Sequence, residues 1–398
     1  MAINEHVGDL GYMSLIKEAT PGIPLTPTTY IPMYDDGGMG TDLQLDEVNP
    51  VIGNKFARYK TIMGLRKHGG SPTVMGTPNI AAYLMDMMMT KGNVTTPNYT
   101  YPFTLTANDP NSYTIDISNG FSVSRFIGCQ VSSLKPVFSK NEVRLQPKIS
   151  ALKSFVIREI ATWTAGTKTL TLKTTYDPIP NFGLVVGDTL QFTGAGAGTT
   201  PVSTTIAAAG VNADGITVVL TSAPAGLAAG DFVTLAPLTV TLVDETPFTW
   251  GRTEFHFGAT VTAALAAAAT PCEVGSDITL MHNLESESGA PRSGSYDPAA
   301  LVRTVGDASG KIKKFFGTMD ELNRFITVGA NPQAVVMKML SGTAYELRFV
   351  LDQVVYKTSS LAVKSGSIIY NEFDIIPVYN VANSEGMSAL VSCAITSL

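Results

Sequence analysis

Along most of the chain, apolar and polar residues alternate with a period of two, the pattern of strands that set one face against a core. Tyr345, Leu347 and Phe349 alternate in this way, and so do Tyr113, Ile115 and Ile117. Each stretch leads through a Ser-Ser-Leu triplet to a turn and a closing strand; the triplets are Ser359-Ser360-Leu361 and Ser132-Ser133-Leu134. The closing strands, residues 373–379 and 143–149, both carry a proline two before their last apolar residue, Pro377 and Pro147. A proline cannot donate to a ladder, so each is expected at a sheet edge or a strand end. Together the two stretches predict that one β design occurs twice in the chain.

The elements around these stretches recur in the same order. Strands are expected at residues 30–34 and 43–48, a basic loop over 54–70, and a helix from Thr77. Thr77 suits an N-cap and Pro78 the first turn, and Ile80, Tyr83, Leu84, Met87 and Met88 form an apolar stripe that Gly92 can end. In the second half, strands are expected at 255–261 and 277–284, and a long segment, 286–310, replaces the basic loop. A helix then opens at Thr318 with Glu321 at capping-box spacing, carries Leu322, Phe325 and Ile326 on one face, and stops at Gly329. Residues 1–27 hold turn signals and little periodicity, so an extended arm is expected from about Leu10 and Tyr12, either binding a partner or disordered. Asp35-Asp36 lacks the spacing of a calcium loop and reads as a solvated turn.

Residues 158–247 differ, with few charges and much Thr, Ala and Gly. A smaller repeat lies inside them. Leu170-Thr171-Leu172 leads to Val186-Gly187-Asp188-Thr189-Leu190, and Ile216-Thr217-Val218 leads to Ala229-Gly230-Asp231-Phe232-Val233. Each Gly-Asp reads as a turn feeding a strand, which predicts a compact all-β insert, such as a small barrel. The run from Gly194 to Gly198 lacks the Gly-Lys-Ser/Thr of a phosphate-binding loop and is expected to be a flexible tip. The domains expected are therefore 1–157, 158–247 and 248–398.

Charge and candidate chemistry narrow the function. With 27 basic and 33 acidic residues the net charge is −6, which argues against a general nucleic-acid binder. The basic residues gather instead in two places: Lys55, Arg58, Lys60, Arg66, Lys67 and His68, interleaved with Phe56, Tyr59 and Ile62, and Lys311, Lys313 and Lys314. Single-stranded nucleic acid could bind such a mixture. A long hairpin docking on a neighbouring subunit accounts for it as well and is the preferred reading. Cys129, Cys272 and Cys393 form neither metal spacing nor a disulfide framework and are read as buried free thiols. His256 and His282 could meet across two strands with Glu254 as a third ligand, but metal-free strand histidines are favoured. Motifs of hydrolases, zinc proteases, redox dithiols and dinucleotide binders are absent from the sequence, so no enzyme, cofactor or metal is expected. The first ten residues do not read as a signal peptide, and the longest apolar run, residues 263–269, is too short to span a bilayer, so a protein made and kept in a reducing cytoplasm is expected.

At the level of family, the chain resembles the tail tube (major tail) proteins of long-tailed bacteriophages over residues 10–155 and 248–398. The resemblance rests on Gly11-Tyr12 with the Ala19-Thr20-Pro21-Gly22 turn, on His282-Asn283-Leu284-Glu285, on the Thr318 helix, and on the strands closing at Pro147 and Pro377. It implies a mainly β fold: two tandem tail-tube β-sandwich domains, each with a flanking α-helix, with the all-β domain inserted between them. It also implies stacked rings around a channel that passes DNA without specific binding, assembled in the host cytoplasm and carried in the virion tail. Two domains per chain favour a trimer over a hexamer. The tape-measure protein and tail-terminator or tail-tip proteins would be partners, with no membrane. Under that reading the eight cations Lys55, Arg58, Lys60, Arg66, Lys67, Lys311, Lys313 and Lys314 contact the adjacent ring or subunit, and the insert lies outside the tube. The competing reading is a β-rich adhesin or carbohydrate-binding surface protein.

Overall fold

The computed structural model describes residues 11–34, 37–48, 60–92, 94–95, 97–102, 110–138, 142–174, 183–212, 214–238, 240, 242, 245–273, 275–286, 297–298, 300–315, 325–326, 333–362, 370–381, 386–395 and 398. The protein is mainly β, as the alternation predicts. The first part runs β1 (Tyr12–Lys17), β2 (Thr29–Ile31), β3 (Met39–Val48), β4 (Lys60–Gly70), β5 (Val74–Met75) and helix α1 (Pro78–Met88). It continues through β6 (Val94–Thr95), β7 (Asn98–Pro102), β8 (Tyr113–Ser118), β9 (Val123–Phe138), β10 (Val143–Ala151) and β11 (Lys153–Phe155). Then come β12 (Arg158–Thr164), β13 (Thr169–Leu172), β14 (Thr189–Gly194), β15 (Gly198–Val211), β16 (Thr217–Leu220) and β17 (Phe232–Leu235). The last part holds β18 (Thr253–Gly258), helix α2 (Val261–Ala266), β19 (Asp277–Ser286) and β20 (Leu301–Phe315). β21 (Gln333–Ser341), β22 (Tyr345–Ala362), β23 (Tyr370–Pro377) and β24 (Met387–Ser392) close the chain.

The strand pairing repeats. In the first part the antiparallel order is β1–β8–β9–β10–β4–β3. In the last part it is β18–β21–β22–β23–β20–β19. Irregularities repeat with it. The β8–β9 ladder slips between Tyr113 and Ile115, and β21–β22 slips between Gln333 and Val335. The β9–β10 ladder leaves Ser132 as the extra residue, and β22–β23 leaves Lys357. Finally, β3–β4 slips between Leu43 and Leu45, and β19–β20 between His282 and Leu284. Bulges are specific local features, so three at matching positions establish the repeat more firmly than any shared residue type.

The ladders also correct the sequence alignment of the two halves. Val131 opposes Ile149 and Tyr356 opposes Ile375 next to matching bulges, which makes Leu134 the counterpart of Ser359, not of Leu361. Pro147 likewise corresponds to Phe373, and Pro377 lies four residues further on. Both slips are even, so they leave the inward and outward alternation unchanged. A period-two pattern cannot detect them.

Other expectations shift in the same way. The N-terminal arm is in part a core strand: β1 pairs with both β2 and β8, and Met13 and Leu15 are fully buried. Much of the expected basic loop is strand β4. Thr77 does precede α1, with Pro78 in its first turn, but its hydroxyl makes no cap bond and α1 ends at Met88, short of Gly92. α1 presents Leu84, Met85, Met87 and Met88 to a core that also holds Leu134, Phe349 and Val391, so one hydrophobic interior spans both repeats. Of the helix expected from Thr318 only Phe325 and Ile326 are described, and both are helical; Thr318, Glu321, Leu322 and Gly329 lie outside the described residues, as do Asp35-Asp36.

The insert is a closed six-stranded barrel in the order β12–β13–β16–β15–β14–β17, with β17 returning to β12. It has its own core, in which Leu170, Leu190, Phe192, Val218 and Val233 meet Phe155 and Val123 from the first repeat. The two Gly-Asp turns are equivalent: Val185 N–H donates to Asp188, and Ala228 N–H donates to Asp231. Asp231 also accepts from the backbone of Gly196 and Ala197, each at 2.9 Å. The glycine run is therefore tied down and is not a free tip.

Buried Glu18, just after β1, organises the start of the chain. Its Oε2 accepts from Gly22 N–H at 2.7 Å and Ser112 Oγ at 2.8 Å. Its Oε1 accepts from Thr114 Oγ1 at 2.9 Å and Gly128 N–H at 2.8 Å. An amide at this position would turn an N–H toward one of these donors. Glu18→Gln is expected to lower stability by about 1.5–3 kcal/mol, read from the urea midpoint.

Candidate assembly surfaces

Among the described residues, two ladders join the repeats within the chain. β9 leaves the first repeat to pair with β19 of the second, Leu134 opposite Leu280 and Ser133 opposite Met281. Leu134 and Leu280 are completely buried there. Beside them Lys135 Nζ stands 3.5 Å from Asp277 Oδ2. The paired strands β19 and β20 secure the end of α1, where helical carbonyls lack partners inside the helix. His282 Nδ1 lies 3.1 Å from the Met88 carbonyl, and the Arg303 guanidinium donates to it at 2.9 Å. A second ladder sets β24 against β7, Ala389 opposite Tyr101.

The basic residues separate into distinct settings. Arg66 is buried 3.6 Å from Asp297, whose Oδ1 also lies 3.0 Å from His68 Nε2. His68 Nδ1 is 2.9 Å from the Thr41 hydroxyl. Lys67 is exposed and faces Asp42 across the β3–β4 ladder. Arg66, Lys67 and His68 line a cleft of about 450 Å³ between the repeats, together with Lys148, Asn283 and Leu301. Lys311 pairs with Glu372, Lys313 lies 3.8 Å from the same carboxylate, and Lys314 sits 5.0 Å from the centre of the Phe257 ring. Lys55 and Arg58 are outside the described residues; Lys60 opens β4, and its side chain is not described. The five described candidates, Arg66, Lys67, Lys311, Lys313 and Lys314, therefore stand in different settings. Arg66 and Lys311 in particular are engaged within the chain.

Burial alone would raise the Asp297 pKa, but the hydrogen bond to His68 and the charges of His68, Arg66 and Lys153 outweigh it and hold the carboxyl below its usual value. A depressed carboxyl stabilises the fold above its unfolded pKa, near 4, and this contribution is lost as pH falls through the folded value. Asp297→Asn is expected to be less stable at neutral pH by about 1.5–3 kcal/mol. It should also lose less stability than the wild type on titration from pH 5 to pH 2, as followed by thermal melting.

A third surface docks the barrel. Arg125 on β9 is 1% exposed and sits between two carboxylates. It donates Nε to Asp116 Oδ1 and Nη2 to Asp116 Oδ2, both at 2.8 Å. It donates Nη1 and Nη2 to Asp188 at 2.5 and 3.0 Å, and Nη1 also reaches the Gly183 carbonyl at 3.1 Å. Asp188 is the first Gly-Asp turn of the barrel. The equivalent Asp231 holds only the barrel's own backbone, whereas Asp188 reaches out of the barrel to the first repeat. Sequence reasoning found both turns but not this partner, since Arg125 lies 63 positions from Asp188.

The remaining candidates serve local structure. His256 bonds Glu254 at 3.2 Å and the Ala267 carbonyl at 3.0 Å, while His282 is taken up by Met88. Among the described residues no group of three His, Cys, Asp or Glu side chains is placed to hold a metal ion. Cys129 and Cys393 are buried, and Cys272 is half-buried. No described helix is long and apolar enough to cross a membrane. No family model matches the chain, and no curated protein matches it.

Proposed function

We propose that this protein is the structural subunit of a phage-type tail tube, built from stacked rings around a channel through which DNA passes. The observation that carries the reading is the doubled pairing order with its three shared bulges. A chain of two like units suits a ring of three copies with near-sixfold symmetry. The in-chain β9–β19 ladder supports it further, because it joins like units edge to edge, the contact that a ring must repeat. The chain acts without catalysis, and its partners are further copies, the tape-measure protein and the proteins that end the tail.

In this reading the barrel stands on the outer wall, since a folded unit of its size would obstruct a bore wide enough for duplex DNA. A net charge of −6 suits passage without retention, because each neutralised phosphate adds affinity. Negative-stain microscopy of the purified protein should show rings or tubes with a central hole. A protein that stays monomeric at all concentrations would remove this reading and favour the surface-binding alternative.

A further inference from the structure

The β9–β19 ladder uses one edge from each repeat, and the repeat itself identifies the two edges that correspond to them. The β3–β4 and β19–β20 ladders share a register and a bulge, so Thr41 and Asp42 are the counterparts of Leu280 and Met281. By the same comparison of β9–β10 with β22–β23, Ser133 and Leu134 correspond to Thr358 and Ser359. Within the chain the first set of edges is joined. Among the described residues, β3 pairs with β4 alone, and β22 beyond Val354 pairs with β23 alone. Thr41, Asp42, Lys357 and Thr358 are all exposed. A ten-residue strand with one bare edge is a template for pairing.

We propose that β22 of one copy pairs antiparallel with β3 of the next, with Thr358 opposite Asp42 and Ser359 opposite Thr41. The pairing deepens the tube reading by naming the contact between copies; it rests on that reading only for the number of copies in a ring. Charge is consistent with it. The in-chain row across β10, β9, β19 and β20 is Lys148, Ser133, Met281 and Asp307. Across β23, β22, β3 and β4 the corresponding row is Asp374, Thr358, Asp42 and Lys67, again with opposite charges at its ends. Lys67 would thus offset Asp42 at the seam.

Apolar surface points to the same place. His282, which meets the end of α1 in the chain, has Leu43 as its counterpart, 46% exposed. The helical residues Phe325 and Ile326 leave Ile326 67% exposed, so Leu43 of one copy and Ile326 of the next are placed to cover each other.

Directly opposed residues in an antiparallel pair lie about 4.5–5.5 Å apart at Cα, within disulfide range. The test is therefore Asp42→Cys/Thr358→Cys, oxidised and separated under non-reducing denaturing conditions, with Thr41→Cys/Ser359→Cys as the second variant in case the first folds poorly. Either double variant should form covalent oligomers of more than two chains. Single variants should not pass the dimer, and the wild type, with Cys129 and Cys393 buried and Cys272 half-buried, is the control for cross-linking through the native thiols. Products ending at three chains support both the register and the ring. A ladder of increasing size supports the register while contradicting the three-copy ring. Rings in the microscope without cross-linking in either variant, or monomers without cross-linking, overturn the register.

Discussion

Arg125→Met is expected to destabilise the protein by about 3–5 kcal/mol, because it strands two carboxylates inside the seam between barrel and first repeat. Asp116 and Asp188 are both buried there and both take their charged partner from Arg125. The remaining donors to Asp188, the Thr26 hydroxyl and the Val185 amide, are neutral and cannot balance the charge. The size of the loss measures the cost of the stranded acids more than the value of the intact triad. A triple variant, Asp116→Leu/Arg125→Met/Asp188→Asn, should therefore recover much of it, since removing a whole buried ion cluster is often close to neutral. Urea midpoints of the two variants against wild type give the answer. An Arg125→Met protein with the wild-type midpoint would mean that the barrel is not held through this seam.

Gly70→Val is expected to cost about 3 kcal/mol or more, at the upper end of overpacking effects. Gly70 ends β4, which is paired on both sides there, opposite Met39 of β3 and Ile149 of β10. A Cβ at this point would overlap the Gly38 carbonyl oxygen and come within 2.8 Å of Met39 Cα, and backbone cannot yield as a side chain does. The second repeat has a glycine at the same crossing, Gly310, opposite Ile278 of β19 and Ile375 of β23. There the two nearest atoms are the Ile375 Cγ1 and Cδ1 at 2.8 and 2.9 Å, which can rotate away, and the nearest backbone atom, the Asp277 carbonyl oxygen, stands off at 3.0 Å. Gly310→Ala should thus be milder than Gly70→Ala in thermal melts. Equal losses would mean that the two crossings are not packed as described.

Legibility in the sequence followed physical range. Alternation along single strands was readable, because it depends on residues two apart, and so was the presence of two like halves. The register that joins them was not. Ser-Ser-Leu and the two prolines repeat in the sequence at positions offset by two and four residues from their structural counterparts, and even offsets preserve every inward and outward assignment. Bulges decide the register, and nothing in Ser132 or Lys357 announces one. The barrel was visible through its Gly-Asp turns because turn chemistry is local. Its attachment was hidden because Arg125, Asp116 and Asp188 meet only after three strands are in place. The basic stretch shows the same limit: composition grouped Arg66 with Lys67, but they point to opposite sides of β4, one buried on Asp297 and the other exposed. The short helix α2 lay in a run of alanines, and its clearest local signal was Thr260, whose hydroxyl accepts from Ala263 N–H.

If one chain supplies two equivalent units to a closed ring, the ring holds three chains. Native mass spectrometry of assembled rings, dissociated from any stacks at high salt, should then give a mass of three chains per ring, each of 42.1 kDa. A ring of six chains would contradict it, since the two halves would then not occupy equivalent places around the channel.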